Sequence, residues 1–208
     1  MPTSSRPSFA DLQDTSRFDT VLHVSHRQIA SAVQPLLYSR NPVAIGFWLL
    51  NLLVIAWLGA RWYRSGLGFE AFPLLCAGMA GGWILLLPVH EHLHALAYRL
   101  VGAGNVHVHY AWRTLTAYCI ADRAVVNGAE FLYVALAPFV VLNSLLAVAL
   151  FFLPPGPAGL LVGGALLLHL GATSGDVAFV ILVVKSGTTR SWTVDDSASQ
   201  SSWFVAEK

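Results

Sequence analysis

Four long apolar stretches constrain this chain more than any other feature of its sequence. A hydrocarbon core about 30 Å thick takes about 20 helical residues to cross. The stretches run over Val43–Ala60, Ala71–Tyr98, Phe131–Leu153 and Ala158–Val184. Charged residues make up 11% of the chain, less than half of the about 25% found in soluble domains. The sequence therefore predicts an integral membrane protein and excludes a typical cytosolic enzyme or a disordered tail.

The charge and cysteine content exclude two further classes. A formal net charge of +1 provides no basic surface for nucleic acid, and two cysteines are too few for a disulfide scaffold or a cysteine zinc site. The predicted fold class is all-α, with four transmembrane helices and a small β-hairpin-like insertion between helices two and three. Residues 1–42 are expected to form a polar N-terminal cytoplasmic segment, residues 43–185 the transmembrane domain and residues 186–208 a polar C-terminal tail.

Two connecting segments carry their own patterns. Val106–Ile120 alternates small apolar residues with histidines and is rich in aromatic and β-branched residues, which predicts two short strands or a hairpin. Phe18–Leu37 mixes apolar and polar residues, and we expect it to form a helix lying on the membrane surface.

Lysine and arginine residues near the ends of the apolar stretches predict the orientation of the chain. With a cytoplasmic N-terminus, the opposite side holds only Arg61 and Arg64, and the cytoplasmic side holds seven basic residues near the ends of the apolar stretches. These seven are Arg27, Arg40, Arg99, Arg113, Arg123, Lys185 and Arg190. We therefore expect a multi-pass protein of the plasma (inner) membrane with both termini in the cytoplasm.

The second apolar stretch contains the H-E-x-x-H pattern His90, Glu91 and His94. Residues four apart share one face of a helix, so both imidazoles can bind one zinc ion while the neighbouring Glu91 acts on its bound water. A charged side chain inside a membrane costs about 2.5–3.5 kcal/mol on insertion scales and usually serves a function. The alternative is a polar cluster at the end of a membrane helix, satisfied by headgroups and water.

Asp176 is the one charged residue in the fourth apolar stretch and is the candidate third zinc ligand, the alternative being a polar packing residue. His169 lies two helical turns earlier, on the same face, and is the competing ligand. With segments two and four starting level at Ala71 and Ala158, Asp176 lies level with the HExxH turn. His169 then lies about 10 Å nearer the outer face. Depth therefore favours Asp176, with His169 as a packing residue.

An apolar HExxH helix, a β-like insertion, a plain helix and a last helix with a Gly-Asp pair at Gly175-Asp176 resemble the site-2 protease group. The likeness covers Ala71–Val184 and is greatest to a compact branch of zincin peptidases, with a metalloprotease-like core at residues 71–185. It implies an intramembrane zinc metalloprotease that hydrolyses membrane-embedded or membrane-proximal protein or peptide substrates. His90, His94 and Asp176 would bind Zn²⁺ and Glu91 would be the general base.

The resemblance also indicates where substrate would bind. In site-2 proteases the inserted strands are thought to receive the unwound substrate, and Val106–Ile120 could do so by strand addition. Asn143, which carries a polar amide in the middle of segment three, and His107 and His109 on the insertion are candidates for substrate contact.

Two other classes of function are compatible with the sequence. One is a non-catalytic membrane protein that binds a metal for stability or for a partner, because a motif does not prove turnover. The other is a membrane di-iron oxidoreductase, because His90 and His94 also form an H-x-x-x-H pair. Metal content and a Glu91 substitution distinguish the three classes.

Overall fold

A computed structural model describes residues 6–26, 28–111 and 113–208, so Arg27 and Trp112 of the segments above lie outside the described residues. The chain is mostly helical and also contains two small sheets. The helices are α1 (Ile29–Val33), α2 (Pro42–Ser65), α3 (Phe72–Leu100), α4 (Gly128–Phe152), α5 (Pro157–Ala172) and α6 (Ser174–Ser186). The strands are β1 (Phe18–Ser25), β2 (Val106–Ala111), β3 (Thr116–Ala121), β4 (Val126–Asn127), β5 (Ser191–Asp196) and β6 (Ser201–Glu207).

Four helical segments are long and apolar enough to cross a membrane, which confirms the prediction of four such helices. They are α2, α3 with the short 3₁₀ turn before it, α4, and α5 together with α6. The fourth segment is interrupted at Thr173, where α5 ends and α6 begins. Thr173 is fully buried and its hydroxyl donates to the Leu170 carbonyl.

Local sequence explains where the spans begin and end. The Asn41 side chain caps α2 by accepting from the Val43 amide, and Gly66 ends that helix at a φ of 67°, a conformation that favours glycine. The α4 helix begins with a capping box between Asn127 and Glu130, which satisfies two amides that the helix itself cannot.

Helices α3 and α5 approach each other closely because glycines lie at their contact. A Cβ atom at Gly78 would overlap the Leu161 carbonyl oxygen, and one at Gly82 would lie 2.9 Å from Ala165 Cα. On the other helix, a Cβ at Gly164 would lie 2.9 Å from the Met79 amide nitrogen. Small residues permit this packing inside a bilayer, where close van der Waals contact drives helix association.

Strands β2 and β3 form a two-stranded antiparallel sheet between α3 and α4, with Val106 paired to Ala121 and Ala111 paired to Thr116. The tip of this hairpin lies against α3, where the Trp83 indole N–H donates to the Leu115 carbonyl at 3.0 Å. This contact keeps β3 close to the middle of α3.

The terminal segments and the short strand β4 build a four-stranded sheet in the order β1-β6-β5-β4, with antiparallel neighbours. Phe204 of β6 is buried and packs against Phe131 of α4 and Phe179 of α6, with ring centroids 5.5 and 5.4 Å apart. We call this sheet the terminal sheet. It covers the ends of the transmembrane helices on the side where α2 begins.

The terminal sheet corrects two expectations. The all-α fold class is too narrow, because strands form outside the insertion as well. A surface helix over Phe18–Leu37 is wrong for its first part, since Phe18–Ser25 is strand β1 and only the following residues are helical. The physical reason is that β1 pairs with β6 at the other end of the chain, and local periodicity carries no information on such a partner.

The glycine contact yields a matched pair of substitutions on α3. An added methyl group at Gly78 meets the backbone of Leu161, whereas one at Gly81 has nothing within 4 Å. We expect Gly78→Ala to lower the free energy of unfolding by about 1–3 kcal/mol, seen as a lower Tm in detergent. Gly81→Ala, which gains helix propensity, should be neutral or stabilising, and equal Tm values for the two variants would contradict the packing argument.

Candidate metal centre

The C-terminal half of α3 carries the HExxH residues on one side of the helix. Glu91 and His94 are buried, and His90 is partly buried one turn before His94. Asp176, in the first turn of α6, faces both imidazoles. In the described part of the chain, one group of three His, Cys, Asp or Glu side chains is placed to hold a single metal ion, and it consists of His90, His94 and Asp176.

The three ligand groups have the spacing of ligands around tetrahedral zinc. His90 Nε2 lies 3.1 Å from His94 Nε2, Asp176 Oδ2 lies 3.3 Å from His90 Nε2, and Asp176 Oδ1 lies 3.3 Å from His94 Nε2. Zinc bonds of about 2.0–2.1 Å place tetrahedral ligands about 3.3 Å apart. Two imidazoles and one carboxylate are also the donor set of a catalytic zinc site, which leaves a fourth position for water or substrate.

The second nitrogen of each imidazole has a partner on a neighbouring helix. His94 Nδ1 donates a hydrogen bond to the Val134 carbonyl at 2.9 Å. The lone pair on its Nε2 is then directed at the other two candidate metal ligands. Pro138, four residues after Val134, has no N–H, so this carbonyl lacks its usual helical donor. His90 Nδ1 lies 3.2 Å from His169 Nε2.

The position of His169 corrects the depth estimate. Level helix starts predict that it lies about 10 Å from the level of Asp176, yet its ring contacts His90 directly. The reason is the register of α3 and α5, in which Gly78 lies beside Leu161 and Gly82 beside Ala165. Helix α5 is therefore shifted along α3 by about four residues, or about 6 Å, toward the HExxH turn, compared with helices that start at the same level. The same register places Asp176 beside the HExxH turn.

Two cavities meet at this centre, and Glu91, Asp176 and Ala117 line both. The smaller cavity, of about 200 Å³, has mainly apolar walls. Its large apolar side chains are Trp83, Leu86, Leu87 and Leu168. The larger cavity, of about 590 Å³, reaches the terminal sheet. Its wall there contains the polar residues His26, Asp195, Gln200 and Ser202. Glu91 is thus placed between an apolar and a partly polar space.

Strand β3 forms part of the wall of both cavities through residues 116–120. Burial raises the pKa of the Cys119 thiol on this strand to about 12. The thiol therefore stays protonated near neutral pH, which makes it a poor nucleophile. Burial also raises the pKa of Asp195 in the terminal sheet. The strongest candidate for chemistry in this region is therefore the group on α3 and α6.

The three residues considered for substrate contact lie elsewhere. His107 and His109 are exposed on β2, and neither contributes to the walls of these two cavities. Asn143 of α4 accepts from His169 Nδ1 at 2.9 Å. Sequence reasoning did not identify the Val134 carbonyl, although a proline in the middle of a predicted helix is a signal for a free carbonyl one turn earlier.

A metal analysis of the purified protein tests the centre. We expect close to one zinc per chain in detergent, and loss of that zinc in His94→Ala, which removes one of three ligands. His92→Ala is the matched control, because His92 is exposed and lies beside the Pro88 carbonyl and Tyr110 instead of the other donors. Two irons per chain, no metal at all, or equal zinc in both variants would contradict the assignment.

Comparison with known families agrees with this geometry. Residues 83–189, just over half of the chain, match the family model described as "Putative zincin peptidase". Searches of curated proteins and of solved structures returned no match. The matched region contains the HExxH turn, the hairpin, α4 and Asp176. Since the match spans more than half of its length, the chain belongs to this zincin peptidase family.

Proposed function

We propose that this protein is a zinc-dependent intramembrane peptidase, similar to site-2 proteases, that hydrolyses peptide bonds of membrane-embedded or membrane-proximal protein segments. One observation carries the proposal: two imidazoles and a carboxylate converge at ligand distances inside apolar helices, with a buried glutamate beside them. A polar group of this kind is costly in a membrane and is retained where it serves a function. The family assignment to zincin peptidases supports hydrolysis as that function.

The roles of the residues follow from their positions. His90, His94 and Asp176 would hold the zinc ion. When bound, zinc acts as a Lewis acid that lowers the pKa of its bound water to about 7 and stabilises negative charge on a carbonyl oxygen. Glu91 follows a ligand directly in sequence and lines both cavities. It can therefore take a proton from the attacking water and deliver it to the leaving nitrogen.

The cavities suggest how substrate and water reach Glu91. A peptide bond in a helix is shielded by its own hydrogen bonds, so a substrate segment has to unwind before it is cut. The smaller cavity offers apolar walls to such a segment, and strand β3 lies alongside it with backbone groups for strand addition. The larger cavity supplies polar walls from the terminal sheet, which suit the entry of water and the release of a polar product.

Replacement of Glu91 separates a peptidase from a protein that only binds metal. We expect Glu91→Gln to retain zinc and abolish cleavage, because a general base is needed for turnover and does not ligate the metal. Glu70→Gln, at an exposed position before α3, is the matched control. The measurement is N-terminal proteomics of membranes from cells that produce each variant.

Cleavage products should appear with the wild type and Glu70→Gln and disappear with Glu91→Gln. Products that persist in Glu91→Gln at wild-type levels would contradict the hydrolytic role of this residue. Absence of products with the wild type, at full zinc content, would favour the non-catalytic metal-binding protein.

We also propose that both termini are cytoplasmic and that the membrane is the plasma (inner) membrane. The distribution of basic residues supports this orientation. A protease added to intact cells should therefore spare a tag placed after Lys208 and cut one inserted after Gly66, in the loop between α2 and the next span. The reverse pattern of protection would overturn the orientation.

A further inference from the structure

A chain of hydrogen-bonding groups links the first metal ligand to two other helices. His90 Nδ1 lies 3.2 Å from His169 Nε2, and His169 Nδ1 lies 2.9 Å from Asn143 Oδ1. His169 is only 5% exposed. The chain thus runs from α3 through α5 to α4, on the side of His90 that faces away from the ligand group.

The acceptor at the end of this chain determines where each proton lies. An amide oxygen only accepts, so Asn143 Oδ1 requires a proton on His169 Nδ1. Neutral His169 then has a free lone pair on Nε2, which accepts from His90 Nδ1–H. His90 consequently has its own lone pair on Nε2, the atom that lies 3.3 Å from the Asp176 carboxylate. The reverse order of donors would protonate that atom and prevent it from binding a metal.

We propose that His169 and Asn143 are positioning residues that hold His90 in its metal-binding tautomer and orientation. The inference rests on the metal site proposed above and adds to it the means by which one ligand is oriented. Partners of this kind commonly change metal affinity by about 10–100-fold when they are removed.

The two ligating histidines differ in a way that makes the role of His169 testable. His94 has its Nδ1 bound to a backbone carbonyl, that of Val134, which side-chain replacement at position 134 leaves in place. His90 depends instead on two side chains, which substitution can remove or replace. If His169 and Asn143 only packed helices together, their loss would alter stability without a specific effect on the bound metal.

The test measures metal binding to the full-length protein in detergent. Zn²⁺ affinity is obtained by competition with a chelator, and the visible spectrum of bound Co²⁺ reports the ligand geometry. The variants are His169→Leu, Asn143→Leu and His169→Gln. A glutamine has both an acceptor for His90 Nδ1–H and a donor for Asn143 Oδ1, so it can restore the chain.

We expect His169→Leu and Asn143→Leu to weaken Zn²⁺ binding about 10–100-fold and to alter the Co²⁺ spectrum. His169→Gln should recover most of the affinity. Tm and elution volume show whether each variant is folded. If a leucine variant does not fold, the affinity of His169→Gln tests the inference instead.

Three outcomes overturn the inference. Wild-type affinity in folded His169→Leu means that His169 only packs. Loss of metal as complete as in His94→Ala means that His169 is itself a ligand. Zn²⁺ affinity in His169→Gln as low as in His169→Leu means that a hydrogen-bond acceptor at position 169 does not determine how tightly the metal binds. Failure of the wild type to bind any metal would instead refute the proposed function, so the two failures are distinguishable.

Discussion

The close contact between α3 and α5 sets the geometry on which the candidate centre depends. Glycines at positions 78, 82 and 164 remove the side chains that would separate the two helices. Because the hydrophobic effect does not drive helices together inside a bilayer, close van der Waals packing at such contacts has to stabilise their association. They also fix the axial register, and that register places His169 and Asp176 beside the HExxH turn of α3.

Interruptions of regular helical structure lie beside the buried polar side chains of this packed region. Pro138 removes an amide from α4, and the carbonyl it leaves at Val134 becomes the partner of His94. The interruption at Thr173 ends α5 just after His169, and α6 begins just before Asp176. In a medium without water, an unsatisfied polar group costs several kcal/mol. The missing amide of Pro138 therefore leaves an acceptor where the buried His94 requires one.

The sequence predicts some of these features and cannot predict others. The spans follow from composition, and the i, i+4 spacing of His90 and His94 is enough by itself to place both on one helical face. The position of His169 does not follow, because it depends on a shift of about four residues between α3 and α5 that only their glycine contacts reveal. The terminal sheet is not predicted either, since β1 and β6 come from opposite ends of the chain and the sequence of neither strand indicates which strand it pairs with.

The terminal sheet bears on the proposed hydrolysis inside a membrane because it contributes polar groups to the larger cavity. Hydrolysis consumes water, whereas the helices that hold the ligands are apolar and present mainly apolar walls on the side of the smaller cavity. The larger cavity differs because strands β5 and β6 contribute Asp195 and Ser202 to its wall, and Phe204 of β6 fixes the sheet to α4 and α6. Glu91 and Asp176 lie where the apolar and polar spaces meet, which is the arrangement that the proposed reaction of a membrane-embedded substrate with water requires.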